Sequence, residues 1–144
     1  MSTFTDAEIE FVRSQRLGRL ATVGADGMPH VIPVAVFYDP EAEALVIGAD
    51  VQYGESVMVK SKKFRDARRR PLVAVVVDDP GPRILEVRGD AETYLEGGGD
   101  LGRRLGTPFA FGEAWIRVVP RRIVAMGING GGYLDQSARD VARG

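Results

Sequence analysis

Three lysines, Lys60, Lys62 and Lys63, are the only ones in the chain, and they fall within four positions. Arg65, Arg68, Arg69 and Arg70 follow at once, so residues 60–70 hold seven cations against one anion, Asp66. The chain as a whole carries a net charge of −1, which leaves the remainder of it acidic. So concentrated a field on an acidic body suits a compact anion such as a phosphate. The run reads as a helix that starts near Ser61 and stops before Pro71, because a proline disfavours helix at the residue before it. A helix start offers unpaired N–H groups and the positive end of the dipole, which favour phosphate and disfavour lysine. Two lysines there conflict with their own helix unless an anion sits between them, and such local conflict marks functional positions. Ser61 could cap the helix or give its hydroxyl to a phosphate oxygen. Two other readings fit the same residues. One is a solvated amphipathic face with Phe64 and Ala67 inward. The other is nucleic-acid contact, against which stand the near-neutral chain and the lack of aromatic platforms beyond Phe64.

Other chemistry-bearing residues are few. His30 is the only histidine; on a strand it fits a structural role, and its reference pKa near 6.5 would also let it donate a proton. Trp115, the only tryptophan, suits a core or an interface. Asp78 and Asp79 end a strand beside Pro80-Gly81-Pro82 and read as a solvated turn. No Ser-His-Asp order, HExxH pattern or glycine-rich phosphate loop occurs, and Gly97-Gly98-Gly99-Asp100 is too unspecific to count. The absence of cysteine excludes disulfides, thiolate zinc sites and a Cys nucleophile, and it fits a reducing compartment. No metal site is expected. The first residues are acidic and lack the blocks of a signal peptide, and no apolar run approaches the roughly 20 residues of a membrane span. The expectation is therefore a cytoplasmic protein with neither membrane nor nucleic acid as partner.

The elements that must position the lysines are mostly strands. A length of 144 residues, 44% of them hydrophobic and 27% charged, fits one domain with its own core. Thr5 to Glu8 reads as a capping box with a Phe4–Ile9 staple, opening a helix over about 6–15 with Ile9 and Val12 inward. Strands are expected at 17–23, at 29–39 with a bulge or edge at Pro29 and Pro33, and at 44–49, forming an antiparallel meander. Residues 50–60 read as irregular and precede the basic middle helix. Further strands are expected at 72–79, at 83–95 and at 113–128, the last interrupted at Pro120. A short helix is expected at 101–105. Residues 129–144, with their glycine run, read as a flexible C-terminal tail on a domain of residues 1–128. The sum is a mainly β chain: a six-stranded antiparallel barrel with an N-terminal helix and a basic middle helix.

The order of these motifs resembles a known superfamily. LGRLATV-GADGMPHVIPVAVFYD, LVIGAD, KSKKFRDARRRPLVAVVVDD, EVRGDAE and PRRIV are together similar to the pyridoxamine 5′-phosphate oxidase-like split β-barrels, specifically to the actinobacterial branch of small F420-dependent oxidoreductases. The resemblance covers about residues 5–128. It implies a homodimer with cofactor sites between the two chains. It implies that the cofactor phosphate is held by Lys63, with Lys62 and Ser61 beside it and Lys60 and Arg65 within reach. It places His30, Val31, Ile32, Pro33 and Val34 beside the cofactor ring, and Gly48, Ala49 and Asp50 along the same pocket. The pyridoxal-synthesising oxidases carry Arg and Lys on the second strand, where this chain has Val31 and Val36. That departure implies coenzyme F420, a deazaflavin with an acidic tail, in place of flavin mononucleotide (FMN), which stays as the alternative. The activity implied is hydride transfer to a small unsaturated substrate, with His30, Tyr53 or water as the proton source. A flavin reductase of the same fold, or a cofactor- or haem-binding protein without turnover, are the other readings.

Overall fold

A computed structural model describes residues 3–142. The first helix, α1 (Asp6–Gln15), begins as its sequence dictates: the Thr5 hydroxyl accepts from the Glu8 amide, and the Glu8 carboxylate accepts from the Thr5 amide. Phe11 and Val12 face the core, as does the carboxylate of Glu8, while Ile9 is only partly buried. Next come β1 (Leu17–Val23) and β2 (Pro29–Ala35), joined by a tight turn in which Gly27 has φ 83°. Then follow β3 (Phe37–Asp39), β4 (Ala44–Asp50), a 3-10 turn at Val51–Tyr53, and two short helices, α2 (Val57–Lys60) and α3 (Lys62–Arg69). The chain continues through β5 (Leu72–Asp79), β6 (Arg83–Tyr94), α4 (Gly98–Leu105), β7 (Phe111–Met126) and β8 (Gln136–Asp140).

All strand pairs are antiparallel, in the order β2-β1-β5-β6-β7-β4-β3, with β8 also on β7. The two ends of that path, β2 and β3, are successive stretches of one segment. The expected single strand over 29–39 breaks at Val36, whose side chain is buried and whose amide donates to the Arg16 carbonyl at 2.9 Å. The segment thus leaves β1 and joins β4, which curls the sheet into a split barrel. Among the described residues eight strands occur where six were expected, one from this break and one from the tail.

The tail corrects a second expectation. Residues 129–142 are not simply a flexible arm: Gln136–Asp140 pairs with Arg122–Met126 of β7. Arg139 forms a two-pronged ion pair with the buried Glu8 carboxylate, at 2.6 and 2.9 Å, and donates to the Thr3 carbonyl. The interruption at Pro120 is a bulge. Arg88 faces Arg122 while Gly89 faces Pro120, so Arg121 is the extra residue. A Cβ on Gly89 would lie 2.0 Å from the Val119 carbonyl oxygen, so only glycine fits there.

Leu20, Leu45, Ile47, Val75, Leu85, Ile116 and Ile123 fill the barrel. A second, smaller cluster of Val46, Leu101, Phe111 and Trp115 lies under α4. Trp115 stacks on Tyr94 at 4.4 Å and donates to the Glu96 carbonyl, which gives it a core role. Asp78 and Asp79, expected as a solvated turn, pair with Arg19 and Arg83, and Asp79 also accepts from the Gly81 and Arg83 amides. Among the described residues no helix is long and apolar enough to cross a membrane.

Candidate cofactor-binding site

Ser61 is the hinge of the basic segment. It ends α2 and begins α3 in an extended conformation (φ −72°, ψ 149°). Its hydroxyl donates to the Met58 carbonyl at 2.6 Å and accepts from the Phe64 amide at 3.3 Å. Of the two roles open to it, the structure assigns the cap. Its proton is given to the Met58 carbonyl, and its oxygen sets the helix start.

The two lysines that follow have different environments. Lys62 reaches forward one turn to Asp66, with Nζ 3.2 Å from the carboxylate. Asp66 is buried and also accepts from the Thr22 hydroxyl at 3.0 Å. Burial pushes the Asp66 carboxyl up, but the Thr22 hydroxyl, the Lys62 ammonium and the nearby His30 hold it below the usual carboxylate range. The anion that the sequence demands between the lysines is thus partly internal: Asp66 neutralises Lys62. Lys63 is half-buried and has no carboxylate partner among the described residues; burial pushes its ammonium down. Lys60, Arg65, Arg68, Arg69 and Arg70 are exposed and also lack carboxylate partners. Among the described residues nine other arginines are ion-paired. Unneutralised positive charge is therefore concentrated along α3, with Lys63 as its least hydrated member.

The strands bring part of the expected set to this helix. Thr22 faces His30 across β1–β2, so the Thr22–Asp66 bond places the histidine's neighbour against α3. The turn after β1 abuts the same helix: a Cβ on Gly24 would lie 3.2 Å from Lys62 Nζ. Strand alternation divides the other second-strand residues. Ile32 and Val34 pack against the barrel core, whereas Val31 and Pro33 face outward, Val31 with 63% of its surface exposed. The five do not share a face, because their pairing partners on β1 alternate with them. Gly48, Ala49 and Asp50 sit at a register shift in β4. A Cβ on Gly48 would meet the Phe111 ring at 2.5 Å, Ala49 packs on the core, and Asp50 caps the next turn by accepting from the Gln52 amide. Tyr53 is 74% exposed. Thr22 and Asp66 were missed from sequence. The Lys62–Asp66 spacing of four is the readable signal, and nothing local announces Thr22.

Two faces and a helix start define a class: a split barrel that presents lone cations beside a strand pair. The chain belongs to the pyridoxamine 5′-phosphate oxidase family, whose model matches residues 4–107. It is 41% identical to the 5a,11a-dehydrotetracycline/5a,11a-dehydrooxytetracycline reductase of Streptomyces rimosus, over 96% of this chain and 93% of that one. Among solved structures it is similar to an F420 reductase, with 29% identity, a TM-score of 0.55, and coverage of 76% of this chain and 89% of that one. A pyridoxamine 5′-phosphate oxidase-related, FMN-binding protein of Nostoc punctiforme shares the fold, with 11% identity and a TM-score of 0.62. The match covers 99% of this chain and 100% of that one.

Proposed function

We propose that this chain, an oxidoreductase of the pyridoxamine 5′-phosphate oxidase family, is an F420-dependent reductase. Its substrate is an electron-poor carbon–carbon double bond in a polycyclic ketone, the class to which the substrate of its Streptomyces relative belongs. One observation carries the cofactor assignment: Lys63 is half-buried and unpaired at the start of α3, while its neighbour Lys62 is neutralised by Asp66. A buried ammonium without a counter-ion is costly, and a bound phosphate would supply one. Lys60, Arg65, Arg68, Arg69 and Arg70, without a carboxylate partner among the described residues, continue the positive field along α3, which favours a cofactor with an acidic tail over one that ends in its phosphate.

When bound, the reduced deazaflavin supplies the hydride. The chain's residues do the rest. Lys63 and the first amides of α3 bind the phosphate. Ser61 fixes where that helix begins, and Asp66 holds Lys62 to the β1 side. His30, on the strand beside Asp66, would be the proton source for the carbon next to the carbonyl. The homodimer belongs to this proposal. Val31 and Pro33 of β2 share the outer face with Ala21 of β1, and Leu72 of β5 is 54% exposed, so the β1–β2–β5 sheet offers an apolar surface to a second copy. The FMN-binding relative keeps a flavin reductase as the second reading.

The test is turnover. The purified chain is mixed with chemically reduced F420 and 5a,11a-dehydrotetracycline, and the return of the oxidised cofactor's absorbance is followed. Substrate-dependent oxidation supports the proposal. Oxidation supported by reduced FMN alone establishes the second reading instead.

A further inference from the structure

One cleft of the molecule lies away from α3. It is a cleft of about 470 Å³ between the C-terminal turns of α1 and α4, with Val12, Val36, Phe37 and Leu105 among its apolar lining residues. That volume falls within the range of small-molecule sites, about 300–1,000 Å³. Three arginines line it: Arg13, Arg16 and Arg104. Arg104 forms a two-pronged pair with the fully buried Asp39, at 2.9 Å on both arms, and lies 3.3 Å from Glu41, so its charge is answered. Arg13 and Arg16 have no carboxylate partner among the described residues. Arg13 instead holds its guanidinium 5.6 Å from the centre of the Tyr38 ring.

Arg16 carries a second anomaly. It ends α1 in the left-handed region, φ 63°, and only Glu43 among the other described non-glycine residues shares a positive φ. Glycine is the usual residue at such a helix end because it bears no Cβ penalty. Here a long cation occupies it, lines the cleft and has no ion-pair partner among the described residues. A strained residue without a structural partner is a reason to look for a ligand.

We infer that the cleft binds a small planar organic acid, its ring against the apolar lining and its acid group held by Arg13 and Arg16. Arginine binds carboxylates through two parallel N–H donors and stacks on flat surfaces, which suits both halves of such a ligand. None of the residues assigned to the cofactor lines this cleft, so the site stands whatever cofactor α3 holds. The competing explanation is that Arg13 and Arg16 merely offset the negative end of the α1 dipole.

The two explanations separate on Arg16→Gly. The full chain and its variants are titrated calorimetrically with 2-naphthoate, and each is also melted thermally. The inference expects saturable binding to the parent chain. It expects at least tenfold weaker binding to Arg16→Gly with a melting temperature equal to or above the parent's, since glycine relieves the strained backbone. Arg13→Ala, which leaves the helix end untouched, should show the same tenfold loss, and Arg88→Ala on β6 should bind like the parent. Neutral 2-naphthylmethanol should bind at least tenfold more weakly than the acid. Absence of saturable binding to the parent overturns the inference, as does equal affinity of the parent and Arg13→Ala. An Arg16→Gly variant that melts lower yet binds naphthoate unchanged establishes the dipole role and overturns it too.

Discussion

Replacing Lys63 by alanine should weaken cofactor binding while sparing the fold. The ammonium is half-buried and has no carboxylate partner among the described residues, so its removal leaves no orphaned charge. Burial holds its pKa below the ordinary lysine value. A group whose folded pKa is depressed in this way makes the folded state release its proton more readily. The charged lysine thus subtracts from stability at neutral pH, and stability rises as pH climbs from the folded pKa to the unfolded value. Alanine abolishes that dependence and leaves stability equal or slightly higher. Toward a bound phosphate the balance reverses. A hydrogen bond to a charged group contributes about 1.5–3 kcal/mol, and each 1.36 kcal/mol is a factor of ten, so affinity should fall roughly 10- to 150-fold. The assay is a fluorescence titration of the apoprotein with F420, paired with a urea unfolding curve. An unchanged dissociation constant would refute the assignment of Lys63. Loss of affinity matched by loss of stability would refute the separation of binding from folding.

Lys62→Ala should behave in the opposite sense: the Asp66 carboxylate loses one of its two hydrogen-bonding partners, and stability in urea should drop by about 1 kcal/mol because the lost pair is half-exposed on the lysine side. Gly48→Ala would drive a Cβ to 2.5 Å from the Phe111 ring, an overpacking worth about 1–3 kcal/mol; an unchanged melting temperature would contradict it. The carboxyls of Asp39 and Asp66 are held below their ordinary values, the first mainly by the Arg104 guanidinium. Their stabilisation is present above about pH 4 and should be lost as pH falls through the depressed values, so circular dichroism should show acid unfolding that Arg104→Ala moves to higher pH. Val31→Glu puts a charge on the outer sheet face and should shift sedimentation from dimer to monomer; a dimer that survives it does not use this face.

Much of this architecture is legible in residue order. The capping box at Thr5–Glu8, the strands at 17–23 and 72–79 and the helix before Pro71 follow from local chemistry, since capping, alternation and proline act within a few residues. The break at Val36 does not, because alternation runs unbroken across it while the pairing changes from β1 to β4. Nor does β8: the segment Gln136–Asp140 is polar, and its anchor is Glu8, 131 residues away. In the site, the density of cations is visible at once, but which lysine is free is not. That distinction depends on Thr22 and Asp66 meeting between β1 and α3, 44 residues apart. For His30 to Val34 the resemblance marks a segment, and the pleat of β2 divides its members between two faces.

A crystal structure of the chain grown with F420 tests the central claim most directly. The account predicts phosphate oxygens within about 3 Å of Lys63 Nζ and of the first amides of α3, with Lys62 still on Asp66. Phosphate density elsewhere, with Lys63 left unpaired at the start of α3, would contradict it.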